Sequence, residues 1–279
     1  MNSIYIENLG KDICFENITR VAAYKEDDVI YISGSVIEGI GNKYSDLDVF
    51  VLSKDLKGID SPEIEYDFDK FKSQFILSDN GIKCVIEYKP MDVLESIIEQ
   101  VNRITLEDDT VRILNEVKVQ GFNLWELSSF AHRFIVGIPI YNKEKYDRLR
   151  AGFDLKKFCR LMVRYYINCA DNSYDDVLGN LEGSKPETAL LASRNMLYDI
   201  MQGYIFSWGT TIDRSKWICE KLRILSEKNE EAQRVYDKFQ RLFFYTHLKD
   251  RQDLTSHVEE ILSYTNEIIS LIEERIGGV

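Results

Sequence analysis

Nothing in this chain approaches the ~18 consecutive apolar residues that a membrane-spanning helix needs, so no membrane span is expected. The first residues, MNSIYIENLGKDI, lack a basic stretch followed by an apolar run, so no signal peptide is expected either. Basic residues are in deficit: 35 Lys and Arg stand against 47 Asp and Glu, a net charge of −12. A protein that grips long nucleic acid carries a basic footprint, because affinity comes largely from neutralising phosphates. The balance here argues against an extended nucleic acid and suits a cationic small molecule. The five cysteines are scattered, and none forms a Cys-x-x-Cys pair or shows zinc-like spacing. They read as reduced thiols of a cytoplasmic protein. His247 and His257 show no metal spacing with other ligands, and no repeat or low-complexity tract occurs.

What is present is a folded chain. Hydrophobic residues make up 44%, with 16 Tyr and 14 Phe, which excludes disorder, and 279 residues suffice for two domains with real cores. Val29–Ser33 and Leu47–Ser53 read as strands, and a helix fits Cys14–Tyr24. Lys54–Asp69, with Pro62, reads as a connecting loop. Ser73–Ser78 and Ile82–Tyr88 flank Asp79-Asn80-Gly81, a hairpin signal, since Asn-Gly suits the positive φ of a tight turn. Pro90 ends that strand, and Val93, Leu94, Ile97, Ile98 and Val101 give Met91–Arg103 one apolar helical face.

Past residue 110 the periods become helical: Trp125–Val136, Lys143–Ala151, Leu155–Cys169, Pro186–Trp208, Lys216–Leu225, Glu230–Tyr245 and Val258–Ile276. Pro186 suits a first turn, with Ser184 a nearby cap. The expectation is an α+β protein: a small domain over 1–110 with a mixed sheet and flanking helices, then an all-helical domain over 111–279 that completes a substrate cleft.

The informative stretch is YISGSVIEGIGNKYSDLDVFVL, Tyr31 to Leu52. It reads as strand, Gly-Ser turn, short helix, polar loop and second strand. Alternation along a strand points Asp46 and Asp48 to one face. Two carboxylates held that close are costly without a cation between them, which predicts a divalent metal. Gly34 and Ser35 open a helix whose free N–H groups can receive a phosphate. Gly34 has no Cβ to obstruct that approach, and Ser35 adds a hydroxyl donor. A phosphate cradle beside a metal pair points to phosphoryl or nucleotidyl transfer.

Gly34-Ser35, nine residues, then Ser45-Asp46-Leu47-Asp48 before an apolar run resembles the signature of the DNA polymerase β-like nucleotidyltransferase superfamily. The resemblance is tight over residues 29–90 and architectural beyond. It implies a polymerase-β-type core in which Gly34 and Ser35, with Ser45, hold the phosphates of a nucleoside triphosphate. Asp46 and Asp48 would bind Mg²⁺. ATP, and hence AMP transfer, is favoured by the resemblance alone. A third carboxylate is expected on a neighbouring strand. Glu87, among Val85, Ile86 and Tyr88, fits as a metal ligand or as the base for the acceptor hydroxyl; the bland alternative is the solvent face of an edge strand. Glu63, Glu65, Asp67 and Asp69 compete from a loop-like run.

The helical half is less telling. Lys156, Lys157, Arg160 and Arg164 share one helix side, which reads first as a solvated face. Asp213-Arg214-Ser215-Lys216-Trp217 resembles a lysine-tryptophan segment of bacterial small-molecule nucleotidyltransferases, which implies that Lys216 touches a phosphate. His132-Arg133 and Gly137-Ile138-Pro139 could shape a cleft, with His132 a packed residue rather than a base. The layout resembles aminoglycoside and lincosamide nucleotidyltransferases. That implies NMP transfer to a hydroxyl of a small, cationic acceptor, in antibiotic modification or natural-product biosynthesis, by an enzyme that is sometimes a homodimer. The alternatives are nucleotidylation of a protein or an RNA end, and a catalytically silent nucleotide-binding regulator.

Overall fold

A computed structural model describes residues 3–59, 64–68, 71–77, 81–105 and 117–277. Pro62, Glu63, Asp69, the Asp79-Asn80 turn and the expected joint near 110 lie outside them. The chain is α+β and divides into two compact units. One comprises the residues up to Arg103 together with Val117–Asp154; the other includes Leu155–Val279.

The first unit opens with a small antiparallel hairpin, β1 (Ser3–Ile6) and β2 (Lys11–Cys14), followed by α1 (Phe15–Val21). The strands β3 (Val29–Ser33), β4 (Leu47–Ser53), β5 (Ile64–Phe68), β6 (Phe71–Leu77) and β7 (Lys83–Pro90) come next. The helices α2 (Met91–Arg103) and α3 (Leu124–Ile135), then β8 (Ile138–Tyr141) and α4 (Lys143–Ala151), complete the unit. Six strands form one mixed sheet in the order β5-β6-β7-β4-β3-β8. Among the described residues only β4 and β7 run parallel; every other pairing in this sheet is antiparallel.

All five residues of β3 are buried, as is all of β4 except Asp48. That explains why both read as unbroken apolar runs: a strand covered on both faces has no solvent side to alternate with. On one face Ile30, Ile32, Leu47, Val49, Val51, Ile86 and Tyr88 pack with Ile6, Ile13 and Ile18 from the hairpin and α1. On the other, Tyr31 stacks on Phe50 with ring centroids 5.1 Å apart and meets Phe134 of α3 and Tyr146 of α4. Gly137 permits this arrangement. A Cβ there would lie 2.5 Å from the Tyr31 ring and 2.9 Å from the Tyr146 hydroxyl. That hydroxyl donates to the Phe134 and Gly137 carbonyls at 2.5 and 2.8 Å.

The second unit holds α5 (Leu155–Glu182), α6 (Pro186–Ser207), α7 (Ile218–Ser226), α8 (Glu230–Phe243) and α9 (Arg251–Gly277). α6 is its centre, with Met196, Leu197, Ile200, Met201, Tyr204 and Ile205 fully buried. Among the described residues no helix is long and apolar enough to cross a membrane.

Several expectations need correction. The stretch read as a loop contains β5, and β8 interrupts the region read as helical. The helix at Leu155 runs on to Glu182. The N-cap of α6 is Lys185, without a side-chain cap, rather than Ser184.

Candidate functional site

The Gly-Ser segment leaves β3 at Ser33, which pairs with Asp48 across the sheet. Gly34 turns the chain with φ +85°, and a Cβ on it would sit 2.1 Å from Asp48 Oδ2. The half-buried Asp48 carboxylate is therefore tucked under a turn that only glycine can make. The residues after it form no α-helix, contrary to expectation, but a set of hydrogen-bonded turns. The Gly34 carbonyl accepts from the N–H groups of Ile37 and Glu38, and the Ser35 carbonyl from those of Ile40 and Gly41. Gly39, at φ +75°, ends the winding. The N–H groups of Ser35 and Val36 precede the first of these donors, as orphan donors do at a helix start.

α3 braces this turn from behind. The fully buried His132 meets Glu38 Oε1 through Nε2 at 3.0 Å, and the Ser33 hydroxyl donates to the Arg133 carbonyl at 2.6 Å. His132 is thus the packed residue the sequence suggested.

Asp46 lies one residue before β4, outside the pleat that would fix its direction. It lines a cavity of about 250 Å³ with Ser45, Asn8, Lys11, Lys43 and Lys83. Three lysines around one aspartate make this a local cationic pocket in an acidic chain. The Ser45 hydroxyl accepts from the Asn42 N–H at 2.9 Å, closing the turn that leads into Asp46.

Glu87 is not on an edge: β7 lies between β6 and β4. It pairs with Phe50, while Asp48 pairs with Val85, so Glu87 shares the face of Asp48 but sits two residues, about 7 Å, farther along the sheet. Its carboxylate is bound to cations of the chain itself. Arg133 Nη1 lies 3.1 Å from Oε1 and Lys89 Nζ 2.8 Å from Oε2. Burial pushes the carboxyl pKa up, but the charges and hydrogen bonds of Lys89 and Arg133 outweigh that and hold it below the usual range. The Arg133 guanidinium also lies 5.3 Å from the Phe50 ring centroid. Beside it, the Tyr31 hydroxyl is buried with no hydrogen-bond partner among the described residues, and burial raises its pKa well above the ordinary value.

The structure thus brings Gly34 and Ser35 together with Asp48, and Ser45 with Asp46. Among the described residues no three His, Cys, Asp or Glu side chains converge as a metal-binding group. Lys216 belongs to the helical unit, exposed in a 3-10 turn (Ser215–Trp217), its Nζ 4.7 Å from the Trp217 ring centroid. One site residue, Lys89, escaped the sequence reading although it was findable, since i and i+2 on a strand share a face. Arg133 was expected only to shape a cleft, and its pairing with Glu87, 46 residues away, carried no local signal.

Several solved chains are similar to this one. One is described as a nucleotidyltransferase-like protein from Exiguobacterium sibiricum 255-15, 11% identical, with a TM-score of 0.49, over 94% of this chain and 77% of that one. No protein-family model and no curated protein sequence matches the chain.

Lys156, Lys157, Arg160 and Arg164 are not one solvated face. Lys156 is exposed, Arg160 half-buried and Arg164 only 2% exposed, so the row runs from solvent into the helical core.

Proposed function

We propose that this protein is a nucleotidyltransferase that moves a nucleoside monophosphate from a nucleoside triphosphate, with ATP the first choice, to a hydroxyl of a small molecule. The acceptor oxygen bonds to the α-phosphorus and gives up its proton to solvent, the bond from that phosphorus to the oxygen bridging to the β-phosphate breaks, and pyrophosphate leaves. The observation that carries the reading is the Asp48 carboxylate under the Cβ-free Gly34 turn.

The two carboxylates are of the chemistry Mg²⁺ takes, since it prefers hard oxygen ligands and keeps substrate phosphates in its remaining positions. Asp48 and Asp46 are the residues that would hold it, and when bound it neutralises charge on the phosphates. Gly34 and Ser35 orient the leaving phosphates through backbone N–H groups and a hydroxyl. Lys11, Lys43 and Lys83, around Asp46, supply positive charge of the sign a polyphosphate needs. Glu87, held ionised by two cations, is a weak proton acceptor and acts here by fixing Arg133 against Phe50. The net charge of −12 supports a cationic acceptor.

Asp48→Asn tests this directly. It is expected to abolish Mg²⁺-dependent pyrophosphate release with an unchanged circular dichroism spectrum; undiminished release overturns the assignment. The ion pairs of Glu87 favour one second reading, a module that binds nucleotide without turning it over. Calorimetric ATP binding with no pyrophosphate release across a panel of amino-alcohol acceptors would decide for it.

A further inference from the structure

The helical unit contains a cavity of about 410 Å³, within the range of small-molecule sites, that the reading above does not use. The first turns of α5, the end of α6 and the last turn of α9 line it, and it opens to solvent. Leu155, Cys159, Val163, Phe206 and Ile276 make its wall apolar. The charged residues lining it are Lys156, Arg160 and Arg275, and none of the ten lining residues is acidic. In a chain with 47 acidic against 35 basic residues, that is the opposite of the average surface.

The three cations are not equivalent. Arg275 is already committed: it donates to the Ser207 hydroxyl at 2.7 Å, pairs with Glu231 and lies 4.0 Å from the Trp208 ring centroid. It forms a fixed, neutralised wall. Arg160 differs. Its Nε is buried without a hydrogen-bond partner among the described residues, and burying such a donor costs free energy unless something accepts from it. Cys159 offers no counter-charge, since burial pushes its thiol up to about 12 and keeps it neutral.

We propose that this cavity binds an organic anion, an apolar ring or chain bearing one carboxylate or phosphate, with Arg160 and Lys156 taking the head group and Val163, Phe206 and Ile276 the apolar body. Complementarity is twofold, because the wall rewards burial of apolar area while the charges of Arg160 and Lys156 reward an anionic acceptor.

The test uses 8-anilinonaphthalene-1-sulfonate with the full-length protein, followed by fluorescence. One saturable site is expected. Arg160→Gln should weaken binding by about tenfold or more and Lys156→Gln by a few-fold, the typical loss of a charge-assisted contact. Binding of the uncharged N-phenyl-1-naphthylamine should stay the same in both. Lys156 is exposed, so its variant tests the site even if Arg160→Gln disturbs folding. Decanoate and 1-naphthyl phosphate are then used as competitors, and whichever displaces the probe identifies the head group. The absence of a saturable site overturns the proposal. So does equal probe affinity in the wild type and the Lys156 variant, or displacement by inorganic phosphate but by neither organic anion.

Discussion

Gly34→Ala isolates what the turn over Asp48 requires. Two costs arise together. At φ +85° a side chain forces the left-handed region, worth ~1–2 kcal/mol. The new Cβ would also lie 2.1 Å from Asp48 Oδ2 and 3.0 Å from its Cγ, so the carboxylate must swing away. Gly39→Ala is the natural control. It shares the strain, with φ +75°, but its Cβ would meet nothing within 4 Å. The two should therefore differ by the contact alone, ~1–3 kcal/mol in urea-unfolding free energy, in the range of overpacking. Gly34→Ala should also lose most pyrophosphate release, whereas Gly39→Ala keeps it. Adding Asp48→Ala to Gly34→Ala should recover the stability increment but not activity, a coupling that a double-mutant cycle reads out. Equal destabilisation by the two glycine variants would refute the close approach.

Arg133→Met leaves the Glu87 carboxylate buried with Lys89 as its one remaining cation, and should destabilise by ~2–4 kcal/mol, largely recovered by adding Glu87→Gln; urea midpoints of the two single variants and the double check it. Because the Glu87 pKa is depressed, its stabilisation is present above the unfolded carboxylate range and is lost as pH falls through the folded value. Asp199 behaves oppositely. Burial pushes its carboxyl up to about 6, so the folded state holds a proton that the unfolded state has released, and stability falls as pH rises from the unfolded value, ~3.9, through 6. Asp199→Asn should therefore add ~1–3 kcal/mol at pH 8 and little near pH 4, and an equal gain at both would exclude titration as the cause.

The central strands were legible because burial on both faces writes itself as an unbroken apolar run, and the long helices because their apolar positions recur every three or four residues. β8 was not. Ile138-Pro139-Ile140-Tyr141 is four half-buried residues with a proline, and its strand character comes from a partner, β3, about a hundred residues earlier. The hairpin of β1 and β2 was hidden likewise, since its Ile6 and Ile13 make sense only against the sheet they cover. At the site, the Gly34-Ser35 turn and the Asp46/Asp48 pair could be read as two halves, but the close approach of Gly34 to Asp48 follows from the pairing of β3 with β4. The direction of Asp46 could not, because it falls just outside the pleat, and the winding after Ser35 stops at glycines that the spacing alone did not mark as stops. The Glu87–Arg133 pair depends on where α3 packs, which no local pattern encodes.

The pairing of β3 with β8 bears on how the chain folds. β3 carries the Gly34 turn at its end, yet one flank of it stays open until Tyr141 has left the ribosome. Until then its backbone N–H and C=O groups form a raw sheet edge on a fully buried apolar strand, the kind of edge that captures strands of other molecules. A nascent chain or fragment ending near residue 110 would present that edge permanently. One ending after α4 would have it closed, so the minimal autonomous piece of the sheet is set by a four-residue strand far from the motif it protects.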